Sequence, residues 1–108
     1  MDIIAVIDEL HAAYKRLDNA GGPLFKLACE KAENERLYRQ ALAHEIMRLR
    51  EEGMPATLIS DVARGNKADE RHMRDLAEIK YKSACELLRS IETQISALQT
   101  IIKYRSDV

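Results

Sequence analysis

Apolar residues between Ala77 and Ile102 recur at alternating intervals of four and three: Ala77, Tyr81, Ala84, Leu88, Ile91, Ile95, Leu98 and Ile102. Residues at that spacing share one helix face, and a mean repeat of 3.5 is the coiled-coil period. The segment therefore predicts a long helix lying along a partner helix. Leu87 and Ile101 widen the stripe, which implies more than one neighbour. The helix is expected from about residue 67 to 104, roughly 55 Å at about 1.5 Å per residue. Lys103 and Arg105 suit the negative end of its dipole. Pairs such as Glu70 with Arg74, Arg71 with Asp75 and Glu78 with Lys82 contribute only about 0.2–0.5 kcal/mol each. The apolar seam dominates.

The same four-and-three spacing opens the chain, in Ile3, Ile7, Leu10, Tyr14 and Leu17, with Asp2, Asp8 and Glu9 near the positive end of the dipole. It predicts a helix over 3–18, ended by Asn19-Ala20-Gly21-Gly22-Pro23 through a left-handed glycine cap. A second helix is expected over 23–52, with Pro23 in its first turn. Its apolar face (Leu24, Leu27, Ala28, Ala32, Tyr38, Leu42, Ile46, Leu49) is interrupted by Lys31, Asn34, Glu35 and Glu45. Polar residues on a seam cost stability and fix register or partner. Gly53-Met54-Pro55 breaks this helix. Leu58, Ile59, Val62 and Ala63 then predict a short helix over 57–64, with Thr57 as its N-cap and Gly65-Asn66 as its end.

These elements imply an all-α fold in one domain over residues 1–108. The expected architecture is a long antiparallel helical hairpin with a short helix at the elbow and an N-terminal helix, assembled as a dimer. The N-terminal helix either completes a three-helix bundle or lies across a second copy. In the hairpin, Ile91, Ile95, Leu98 and Ile102 should meet the Leu24–Ala32 end of the second helix. Their isoleucine-rich surface is the expected oligomer contact.

Composition agrees with helices: 32% of residues are charged, 5% are aromatic, and there are two Pro and four Gly in 108 residues. The net charge of −1 argues against whole-protein attraction to nucleic acid or anionic membranes, so any such binding needs a local patch. Cys29 and Cys85 form no CxxC pattern and are expected to act as small buried hydrophobes in a reducing compartment. No stretch has membrane-spanning length, and the first residues lack the pattern of a signal peptide. A cytoplasmic location, with no membrane partner, is the expectation.

Candidate chemistry is sparse. His44-Glu45 begins like a zinc-protease motif, but position 48 is Arg where the second ligand would stand. His11 and His72 stand alone. No nucleophile elbow, phosphate loop or dinucleotide fingerprint occurs. The chain is therefore read as a non-enzyme with neither metal nor cofactor. A basic group remains around the elbow: Arg48, Arg50, Arg64, Lys67, Arg71 and Arg74. Folding the hairpin would gather it at one end, a candidate contact for a partner protein or for nucleic-acid phosphate, unless Glu51, Glu52, Asp61, Asp69 and Glu70 neutralise it. The segment from Leu49 to Asn66 enters like a helix-turn-helix, yet the residues after Asn66 continue as one long rod with no separate recognition helix.

The elbow LREEGMPATLISDVARG and the seam RDLAEIKYKSACELLRSIETQISALQTII together resemble small helical proteins encoded among early or recombination genes of bacteriophages and prophages of Gram-positive bacteria. The resemblance covers residues 46–102, and Gly53, Pro55, Ile59 and Gly65 carry it best. It implies a non-enzymatic accessory factor with a host or phage protein as partner. The role is either inhibition of a host defence complex or adaptation to phage recombination and single-strand DNA proteins.

Overall fold

A computed structural model describes residues 2–106. Among them every regular element is helical: α1 (Ile3–Asn19), α2 (Gly21–Glu51), α3 (Ala56–Asn66) and α4 (Ala68–Ser106). Asp2 caps α1, its carboxylate accepting from the Ile4 amide at 3.2 Å, which satisfies one donor the first turn leaves open.

The expected turn at Gly21-Gly22 does not form. Ala20 stays right-handed (φ −81°, ψ −22°), the Ala20 amide donates to Leu17 O at 3.2 Å, and the Leu24 amide donates to Ala20 O at 3.0 Å. The chain thus passes from α1 into α2 as one long helix, bent at a single residue. Pro23 sits in the first turn of α2 and brings no N–H to the Asn19 carbonyl one turn back, so the helix lacks that bond beside its bend at Ala20.

The break at Gly53 is real, and its geometry is specific. Gly53 takes φ +82°, the one positive φ among the described residues. Its amide donates to Arg50 O at 3.1 Å and the Met54 amide donates to Leu49 O at 3.2 Å. This is the Schellman closure, which returns two orphan carbonyls to partnership. Two boundary expectations fail nearby. Thr57 lies inside α3, whose N-cap is Pro55 with no side-chain cap bond, and Gly65 is helical, with the end falling at Lys67.

The chain divides into two compact units, residues 1–26 with 82–108 and residues 27–81. In the first, α1 packs antiparallel on the C-terminal part of α4. Ala13, Ile91 and Ile95 form the buried cluster, with Leu10 and Leu17 against it. Val6 and Leu98 are buried as well. Ile91, Ile95 and Leu98, the expected oligomer contact, thus find cover within one chain, and Ile102 is half-buried. Their neighbour is α1 instead of the Leu24–Ala32 end of α2, because the unbroken passage through Ala20 leaves no hairpin turn there.

In the second unit, residues 27–51 of α2 run antiparallel to residues 68–81 of α4, and α3 closes the elbow. Leu49, Ile59 and Ala63 are its buried cluster, supported by Leu42, Ile46, Met54 and Val62. Met54 is thereby the apolar residue that accompanies a Schellman end.

Candidate interaction surfaces

The second unit gathers the polar residues that interrupted the α2 seam. Glu45 is buried, 7% exposed, and its carboxylate is a hub. It accepts from the Arg48 guanidinium, which grips it through both Nε and Nη2, and from Asn66 Nδ2 at 3.1 Å, while Lys67 Nζ stands 4.0 Å away. The hydrogen bonds from Arg48 and Asn66, helped by the charges of Arg48 and Lys67, hold the Glu45 carboxyl below the ordinary value of 4.5. One acid on α2 is therefore tied to the end of α3, which fixes how the elbow closes.

Farther along the same helix pair, the Arg74 guanidinium lies 4.6 Å from the centre of the buried Tyr38 ring, and Lys31 Nζ lies 5.2 Å from that of Tyr81. Arg74 also donates to Asp75 at 2.8 Å and sits 3.7 Å from Glu35. Its expected pairing with Glu70 gives way to these. Asn34 Nδ2 donates to Glu30 O at 2.8 Å, so this seam residue satisfies itself locally. Beside the pairs runs an open groove of about 470 Å³ lined by Ala28, Lys31, Ala32, Glu35, Arg74, Glu78 and Tyr81. The small side chains of Ala28 and Ala32 leave the space.

All six basic candidates lie in this unit, but most have acidic neighbours. Arg48 bonds Glu45 and Glu52, Arg64 is 3.9 Å from Asp61, Lys67 approaches Glu45, Arg71 is 4.0 Å from Asp75, and Arg74 bonds Asp75. Arg50 is exposed and has no ion pair among the described residues. Of the neutralising acids expected, Glu52 and Asp61 take part. Asp75 stands beside Arg71 as expected, while Glu45 and Glu35 were not foreseen; Glu45 is at helical spacing from Arg48, whereas Glu35 reaches Arg74 only across the helix pair.

His11, His44 and His72 are exposed, and no group of three or more His, Cys, Asp or Glu that could hold a metal occurs among the described residues. Cys85 is half-buried, but Cys29 is exposed, against the expectation of a buried thiol, because it falls on the face of α2 opposite Tyr38. Among the described residues no helix is long and apolar enough to cross a membrane.

Large apolar residues are the more telling surface feature. In the first unit Ile4, Ile7, Tyr14, Phe25, Leu87, Ile101 and Tyr104 are exposed; in the second, Leu37, Met47, Leu58, Met73 and Ile79. Compared with protein families, curated proteins and solved structures, the chain matches none.

Proposed function

We propose that the chain is a non-enzymatic protein–protein interaction module, working as a homodimer and acting either as an inhibitor of a host defence complex or as an adaptor to phage proteins. The observation that carries this reading is the exposure of twelve large apolar side chains among the described residues, more than are buried among them. Large apolar side chains left exposed in such number are material for a partner to cover. Affinity capture from infected or lysogenic bacteria tests it, with Met47→Glu and Leu37→Glu as paired variants. A specific partner lost on either substitution supports the reading, and a chain that captures nothing specific contradicts it.

A second reading, nucleic-acid binding as an accessory factor in phage recombination, is favoured by one observation. The ion pairs of Arg64 and Arg71 are long, 3.9 and 4.0 Å, with the arginine side chains 56% and 54% exposed. Such pairs are weak in water, so these charges, with Arg50, stay available to phosphate. Binding to single- or double-stranded DNA should then fall steeply with salt and weaken in Arg50→Ala or Arg64→Ala. No binding at low ionic strength ends this reading.

A further inference from the structure

The first unit carries a second seam on α4, separate from the one that meets α1. Leu87, Gln94 and Ile101 recur every seven residues, and Ser90, Ala97 and Tyr104 follow each of them by three. That is the a/d spacing of a coiled-coil face. All six are exposed, Leu87 at 62%, Ile101 at 37% and Tyr104 at 71%. Thr93 and Thr100 flank the strip. Glu86, one heptad before Thr93 on the same flank, is the one charged residue among these nine positions, although the chain is 32% charged and a solvated helix face at that rate would carry about three. Depletion of charge around exposed apolar residues marks the centre of an interface.

The α1 side agrees. Arg16 Nη2 donates to Gln94 Oε1 at 2.5 Å, which places Arg16 on the strip's side of the helix pair. That side of α1 carries Ala5, Glu9, Ala12 and Arg16 in succession, all exposed. The two alanines let another helix approach between the charged residues.

We infer that this strip is the contact for a second copy of the chain, the two strips packing antiparallel about a two-fold axis so that two helix pairs become a four-helix bundle. This rests on the homodimeric part of the function proposed above and names its surface. The strip is self-complementary when run antiparallel with its centre between Ile95 and Ser96. Leu87 then faces Tyr104 of the partner subunit, Ser90 faces the partner's Ile101, and Gln94 faces the partner's Ala97. The inner layers set a large side chain against a small one, the arrangement that interdigitates without voids. A parallel pairing would set Ser90 on Ser90 and Ala97 on Ala97, leaving gaps. An isologous contact of this kind closes at two copies. The strip is about 26 Å long at about 1.5 Å per residue, and with α1 beside it the face is about 20 Å wide. Two such faces bury on the order of 1,000 Å², the lower range for a specific interface.

Analytical ultracentrifugation of the full chain across about 1 to 500 µM, the range a small interface calls for, tests this together with one cross-linking experiment. Wild type should dimerise, and Leu87→Glu with Ile101→Glu should abolish the dimer while circular dichroism still shows a folded helical chain. Met47→Glu, in the other unit, should leave it intact. In a Cys29→Ser, Cys85→Ala background, a mixture of Ser90→Cys and Ile101→Cys chains should oxidise mainly to the mixed disulfide. A monomer throughout the range overturns both this inference and the homodimeric reading. A dimer that survives the Glu pair, or cross-links that form mainly between like chains, overturns this surface and leaves a dimer elsewhere.

Discussion

The two units hold similar helix pairs together by different means. In the first, α1 meets α4 through Val6, Ala13, Ile91, Ile95 and Leu98, and the polar contacts, Arg16 with Gln94 and Tyr14 with Gln99, lie at the exposed margin. In the second, the seam itself carries Lys31, Glu35, Glu45 and Arg74, with two of the cations laid over tyrosine rings, and apolar packing concentrates at the elbow. Apolar burial is strong but tolerant of sliding, since one turn looks much like the next. Buried hydrogen-bonded charge is costly when misplaced and so penalises the wrong register. The first unit therefore gets its adhesion from burial, and the second adds register through charge.

Core truncations should be the largest blows and should strike both units. Leu49→Ala and Ile95→Ala are each expected to cost about 2–5 kcal/mol, read as a shift in the urea midpoint. Should only one of them destabilise, the units are not equally dependent on burial. Arg74→Ala comes next, at about 1–2 kcal/mol from the loss of its place over Tyr38 and beside Asp75 and Glu35. The equivalent change at the margin of the first unit, Arg16→Ala, should stay within about 0.5 kcal/mol.

The pH response should separate the units further. Glu45 has its pKa lowered by Arg48 and Asn66 in the folded chain, so its folded form binds a proton less readily than its unfolded form. Its contribution is whole above the ordinary value of 4.5 and is lost progressively as pH falls below it. Glu45→Gln should flatten this acid-side loss in melting curves taken between about pH 3 and 6. An unchanged slope would remove Glu45 from the account. The smallest expected effect is a gain. Gly21 is helical, exposed and open where a Cβ would stand, and it does not precede the proline, so Gly21→Ala should stabilise by about 0.5–1 kcal/mol. A left-handed turn at that position would make the same change destabilising.

Much of the fold was legible because period and punctuation are local properties. The seam from Ala77 to Ile102 and the stop at Gly53 follow from spacing and from a residue that alone takes φ +82° easily. Gly21-Gly22-Pro23 misled for the opposite reason. Their turn preferences amount to about 1 kcal/mol per glycine, and apolar packing on both sides outweighs that. Since the turn is absent, α1 and not the start of α2 covers Ile91 and Ile95. The basic cluster was legible as residues and only half legible as a site. Arg64 with Asp61 and Arg71 with Asp75 sit at helical spacings, whereas Glu45 reaches Asn66 and Lys67 only through the closed elbow. Tyr38 under Arg74 depends likewise on α2 and α4 meeting, which no short-range pattern encodes.

The central claim is that α1 covers the isoleucine seam of its own chain, leaving other faces for partners. Isotope-filtered NMR on mixed labelled and unlabelled protein tests it most directly. The account predicts contacts from the Ala13 methyl to Ile91 and Ile95 within one chain, together with helical carbon shifts from Asn19 to Leu24. Contacts from Ile91 and Ile95 to Leu24 and Leu27, or to Ala13 of a second copy, would contradict it.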